Sequence, residues 1–142
     1  MSNDDQIVPT GLSLTFLGAP EVRFQGQPLK FRSRKVLALL IYLAVAGGTH
    51  RRDKLVALLW PESEQKLGNM TLRSSLARVK KTLLVAGEFV IAESGTLRFD
   101  VNQSYTFDLH QLEGIWREGT REQLEAFFAT THGEFLEGFS LF

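Results

Sequence analysis

A helix that is apolar nearly all round cannot lie on a surface, and the stretch SRKVLALLIYLAVAGG, Ser33 to Gly48, is such a helix. Ser33 fits an N-cap, because its hydroxyl can accept an orphan N–H of the first turn. Gly47 and Gly48 supply the stop. The helix has to be the central, most buried element, so other elements must cover it. Its apolar run, Val36 to Ala46, is far short of the roughly 20 residues that span a bilayer, and no membrane partner is expected. Arg34 and Lys35 fall in the first turn, where the macrodipole disfavours cations. They are either two solvated charges or the point at which an anion approaches.

The flanking segments supply the cover. LSLTFLG, Leu12 to Gly18, alternates apolar and polar residues, and EVRFQGQPLKF continues the alternation through Val22, Phe24, Leu29 and Phe31. Gly26 and Pro28 mark a tight turn, so residues 12–31 read as a small antiparallel meander. A short helix over Arg52–Trp60 follows, with Leu55, Leu58 and Leu59 facing inward and Pro61 ending it. The polar stretch Glu62–Gly68 reads as a loop into a second helix, Asn69–Leu84. Beyond it, Phe89, Ile91, Leu97 and Phe99 alternate on either side of a turn at Gly95, the pattern of a β-hairpin. Two acidic amphipathic helices come last, one carrying Leu109, Leu112, Ile115 and Trp116, the other Leu124, Phe127 and Phe128.

The helix NMTLRSSLARVKKTLL, Asn69 to Leu84, has two faces with different needs. Leu72, Leu76, Val79 and Leu83 recur at helical spacing and require a core. Arg73, Arg78, Lys80 and Lys81 supply cations with no anion among them, whereas a solvated helix usually mixes signs. The whole chain is neutral, yet the charge is segregated. Residues 23–81 hold thirteen Lys/Arg against three Asp/Glu, and residues 82–142 hold three against ten. A segregated basic region is the footprint that polyanion binding needs.

Strands, three helices and a hairpin, in that order, predict an α+β winged helix-turn-helix: an N-terminal antiparallel sheet, a C-terminal β-hairpin wing and a short C-terminal helical segment. In such a fold the second helix of the pair enters a major groove about 12 Å wide. The wheel then points Thr71, Ser74, Ser75, Arg78 and Lys81 away from the apolar seam. Arg78 suits a base edge, because its fork fits guanine O6 and N7. Lys81 suits phosphate, and Arg73 and Lys80 suit the flanking backbone. Arg98, the one basic residue of the hairpin, is either a wing contact to the minor groove or phosphate, or a cross-strand partner of Glu93 or Asp100. Arg51 and Arg52 either clamp the backbone or are ordinary surface charges.

Other chemistry has little support. The chain has no cysteine, which excludes thiolate metal sites and disulfides. His50, His110 and His132 lack metal-ligand spacing. No Gly-rich phosphate loop occurs. Neither a cofactor nor catalysis is expected.

RRDKLVALLWPESEQKLGNMTLRSSLARVKKTLL resembles the bacterial regulators that join an OmpR/PhoB-type winged helix to a bacterial transcriptional activator domain, the SARP family among them. The family pattern, a helix ending in LLWP, a polar loop and then LR..L.RLRR.L, is carried here by Leu58–Pro61, Leu72–Arg73 and Leu76–Leu83. The resemblance extends over residues 12–139, with FDLHQLE and GEFLEGF similar to the start of the activator domain. Asn69 departs from a common arginine, Arg51 from a Ser/Thr cap, and Leu97 from a wing aromatic. By this resemblance Arg73, Arg78, Lys80 and Lys81 fall on recognition-helix positions and Arg98 on the wing.

The resemblance implies a cytoplasmic transcription regulator that binds double-stranded DNA, forms homodimers on direct repeats, and contacts RNA polymerase through the Glu62–Gly68 loop. It implies three regions: a flexible N-terminus over 1–11, a winged helix over 12–103, and the start of a tetratricopeptide-like activator domain over 104–142. A full activator domain runs well past residue 142, so a longer regulator or a diverged short form is expected. The competing reading is a winged-helix protein-interaction module that has lost DNA binding.

Overall fold

The computed structural model describes residues 11–111 together with 122 and 123. Residues 1–10 of the expected N-terminal segment 1–11, and the helical positions Leu112, Ile115, Trp116, Leu124, Phe127 and Phe128, lie outside the described residues. The described residues divide into two compact units, one built from residues 11–29 with those from 104 to 111, the other from residues 30–103.

In the first unit, β1 (Leu12–Thr15) pairs antiparallel with β2 (Glu21–Phe24), which pairs antiparallel with β3 (Gln27–Pro28). Gln25 and Gly26 both have positive φ, 51° and 80°, the two left-handed positions of a tight hairpin turn. Pro28 sits on the edge strand, where its missing N–H leaves no ladder bond unmade. The meander gains a fourth strand, β7 (Tyr105–Phe107), which runs parallel to β1 and makes the sheet mixed. This pairing is why residues 12–29, expected within the winged helix, group with the segment beginning at 104. Leu12, Leu14, Phe16, Val22 and Phe107 are buried, and the rings of Phe16 and Phe107 meet edge to face at 5.3 Å. Residues 108–111 are helical, and the buried carboxylate of Asp108 accepts the Leu17 N–H at 2.8 Å.

The second unit carries the helices. α1 (Arg34–Ala46) begins where the Ser33 hydroxyl accepts the Val36 N–H, and ends at Gly47 with φ of 64°. Seven of its residues are buried, spread round most of its circumference, as expected of a helix without a polar face. It contacts α2 (Arg52–Leu59), α3 (Gln65–Leu83) and β6 (Thr96–Phe99). On α2 the inward residues are Leu55, Val56 and Leu59. Leu58 is 49% exposed rather than inward: on a helix its direction lies beside that of Lys54, at the edge of the stripe, whereas Val56, one residue after Leu55 and three before Leu59, completes it.

α3 starts four residues before the position expected, at Gln65 instead of Asn69. Gly68, read from sequence as the end of the Glu62–Gly68 loop, is inside the helix and buried. A Cβ built on it would stand 2.3 Å from Val56 Cγ1, so this glycine is what lets α2 and α3 approach. The connection between the helices is therefore confined to residues 60–64.

The hairpin β5 (Val90–Glu93) and β6 closes through a two-residue turn, Ser94 and Gly95, with φ of 73° at Gly95. A third strand, β4 (Thr49–Arg51), pairs antiparallel with β6. With only three residues it has no alternation to reveal it. The Arg52 N–H donates to Gly95 O at 3.0 Å, which pins the wing turn to the start of α2. The fold is α+β, a winged helix-turn-helix with a mixed N-terminal sheet.

Gly68→Ala tests the α2–α3 contact. Alanine gains about 1 kcal/mol of helix propensity, but overpacking against stiff, buried Val56 costs about 1–3 kcal/mol or more. We expect a net loss of about 1–2 kcal/mol in urea denaturation. Val56→Ala added to Gly68→Ala should then cost less than it does alone. An unchanged midpoint for Gly68→Ala would contradict the close approach.

Candidate nucleic-acid interface

The buried seam of α3 is Gly68, Leu72, Ser75, Leu76, Val79 and Leu83. Ser75 is 6% exposed, which corrects its expected place on the outer face. It lies three residues after Leu72 and four before Val79, the spacing that holds a residue on the same stripe. Being small, it lets the helix sit close to its neighbours.

The remaining surface of α3 is cationic. Arg73, Arg78, Lys80 and Lys81 are exposed, with Lys66 in the first turn, and no acidic residue falls within Gln65–Leu83. Ser74 is exposed among them. Thr71 is half-buried, and its hydroxyl donates to the Leu67 carbonyl one turn back at 3.0 Å. Lys80 and Lys81 occupy the last turn, where cations also suit the helix dipole.

Two clefts flank α3. The first, about 550 Å3, lies between its N-terminal half and the wing turn and is lined by Arg51, Arg52, Asn69, Arg73, Ser94 and Gly95 among others. Three arginines thus converge beside the wing. Arg52 Nε is buried with no hydrogen-bond partner among the described residues. Arg51 is partly neutralised, its guanidinium 2.9 Å from the Asp53 carboxylate, an exposed pair worth little energetically. The second cleft, about 430 Å3, lies on the α1 side and is lined by Ser33, Lys35, Trp60, Thr71, Ser74 and Arg78 among others.

Lys35 and Arg98 are engaged within the protein. Lys35 Nζ donates to the Leu59 carbonyl at the end of α2 and lies 5.9 Å from the Trp60 ring centroid. A cation at that end is favoured by the α2 dipole, so Lys35 ties α1 to α2 instead of standing as a solvated charge. Arg34, beside it, is exposed. Arg98 lies 3.6 Å from Glu93 and 3.7 Å from Asp100. The alternative that sequence left open, a partner within the sheet, is the arrangement found. What the hairpin presents to the α3 cleft is its turn, Ser94–Thr96, rather than Arg98.

Among the described residues no cluster of His, Asp and Glu has the makings of a metal site. His50 is held by Gly47 O at 2.6 Å and by the Tyr42 ring at 5.0 Å. No described helix is long and apolar enough to cross a membrane.

No protein-family model matches the chain, and no curated protein matches it. Among solved structures, the chain is similar to EmbR of Mycobacterium tuberculosis, determined in complex with a low affinity phosphopeptide, at 20% identity and a TM-score of 0.66. The match covers 88% of this chain and 37% of that chain. The likeness is one of fold, and this chain corresponds to little more than a third of the EmbR chain.

The outer and inner serines of α3 give a direct test of its orientation. Ser74→Arg should be accommodated, since the side chain enters solvent. Ser75→Arg places an unpaired cation in the seam and should cost about 3 kcal/mol or more. Thermal or urea melts of the two variants should differ by that amount; equal melts would mean that the helix is rotated.

Proposed function

We propose that the chain is a sequence-specific, double-stranded DNA-binding transcription regulator of the OmpR/PhoB-type, SARP-like class, with α3 in the major groove and the hairpin wing on the backbone or minor groove. The observation that carries this reading is the exposed face of α3: five cations, no anion, and a wing turn beside it. A helix 10–12 Å across fills a major groove about 12 Å wide. Arg73 and Lys80 on one flank then face a phosphate wall, and Arg78 stands on the other flank. Arg51, Arg52 and Arg73 form an anion-receptive cleft that fits backbone phosphate. Arg34, at the exposed start of α1, serves as a further backbone contact.

Arg78 takes the base-edge role, its fork reaching guanine from the flank, and Lys81, near the end of the helix, takes phosphate. Exposed Leu58 and Leu67, at 49% and 56%, stand on either side of the 60–64 connection. That apolar pair supports a polymerase contact there, in a cytoplasmic regulator bound as a homodimer on direct repeats. The same pair is the observation favouring the second reading, a protein-interaction module without DNA binding.

Fluorescence anisotropy with a random duplex at low salt separates the two readings. DNA binding predicts a non-specific Kd of about 10⁻⁴–10⁻⁶ M at physiological salt, tighter at low salt, with log K falling linearly in log salt. Lys81→Ala should weaken all duplexes alike and lower the salt slope by about 1. Arg78→Ala should cost about 1–3 kcal/mol on a selected site and relax one base preference. The absence of any duplex binding at low salt would favour the interaction module.

A further inference from the structure

The directions of the α3 side chains single out a line of residues that charge alone does not reveal. At 3.6 residues per turn, Met70 and Lys81 point within about 10° of the direction opposite the buried seam, and Ser74 and Ala77 within about 30°. Arg73 and Arg78 lie about 70° to either side. Met70 is 61% exposed, and Ser74 and Ala77 are exposed with it. The centre of the outward face is therefore apolar or small, and its cations stand along both edges and at its two ends.

A merely solvated helix has no reason for this order. Water favours charge on an outward face, yet three of the four most outward positions hold a thioether, a hydroxyl and a methyl, and the fourth, Lys81, stands in the last turn. An isolated exposed methionine is unremarkable, but one centred between two cationic rims has the layout of a contact surface. A duplex groove has the complementary layout. Its walls are phosphates, and its floor is the edges of the bases. The one apolar group on a major-groove floor is the thymine C5-methyl.

We infer that Met70 and Ala77 read thymine methyl groups, and that an A·T pair is specified beneath the middle of α3. This rests on the reading of α3 as a major-groove helix and adds a base preference to it. The two residues are about 10 Å apart along the helix, a span of about three base-pair steps at 3.4 Å each, so the thymines they contact fall within that distance. Ser74, between them, is small enough to let the helix approach the floor. The guanine preference assigned to Arg78 then flanks the A·T element rather than occupying its centre.

The test begins with duplexes selected from a random pool by the full chain. Each thymine of the selected site is then replaced singly by deoxyuridine, which removes the methyl and keeps every hydrogen-bonding group. At one or two positions this should weaken binding about fourfold, the worth of one buried methyl-sized group. Met70→Ala should abolish that loss at one of these positions while leaving the salt slope unchanged, and Met70→Leu should retain it. Circular dichroism should show the same melt for all three proteins, since the side chain is exposed. Deoxyuridine that is neutral at every position, a selected site without a fixed thymine, or discrimination that persists in Met70→Ala would each overturn the inference while leaving DNA binding intact. Failure to bind a random duplex at low salt would instead remove the major-groove reading itself, and the inference with it.

Discussion

The burial of α1 sets the terms for every other element of the winged-helix unit. A thirteen-residue helix with seven buried positions must be covered from several directions, and each fully buried leucine contributes about 1.5–3 kcal/mol when it is. α2, α3 and β6 provide that cover. In doing so each commits its own apolar stripe inward. For α3 this leaves one outcome: the seam from Gly68 to Leu83 is consumed by packing, and the cationic residues face out. The basic surface is thus a consequence of the core and not a separate device. Ser33 and Gly47 fix where α1 begins and ends, Lys35 ties it to the end of α2, and Gly68 sets how near α2 can come to α3.

Much of this arrangement could be read in the residues. Ser33, Gly95 and the stripe Leu72, Leu76, Val79 and Leu83 stand in the structure where the sequence reading put them. Strong periodicity over many residues is a robust signal, because both core and solvent act on it. The failures have a common cause: they lie where a long-range contact decides. Gly68 looks like part of the loop until Val56 is seen against it. β4 and β7 have three residues each, too few for alternation to show, and β7 pairs with a strand more than ninety positions away. Leu58 was assigned inward on composition, although Val56 completes the stripe.

The candidate site shows the same division. The exposure of Arg73, Ser74, Arg78, Lys80 and Lys81 follows from the seam, but Ser75, which the wheel drawn on Leu72, Leu76, Val79 and Leu83 sets outward, is buried. It lies three residues from Leu72 and four from Val79, and so joins the seam. Arg98 could have been resolved in advance. Once Glu93 is paired with Thr96, Arg98 falls diagonally opposite Glu93 on one face, with Asp100 two residues further on, just past the end of β6. Lys35 could not, because its partner is a backbone carbonyl at the end of another helix.

Charge and shape carry different parts of the proposed recognition. Cations at the rims of α3 attract any duplex, and their field accelerates encounter without distinguishing one sequence from another. A helix with arginine along its outermost line would bind strongly and discriminate through long, adaptable side chains. On α3 the outermost line is short or apolar ahead of Lys81 in the last turn, which brings the helix backbone nearer to the groove floor and makes fit to the bases depend on shape. Contacts of that kind are individually weak, so they can select only if the rims first hold the helix in place. The two cationic edges and the three arginines of the wing-side cleft supply that hold. The division also explains why net charge is a poor guide to this chain. The acidic residues that cancel the total all lie outside Gln65–Leu83, and close to a phosphate the nearby cations are felt most.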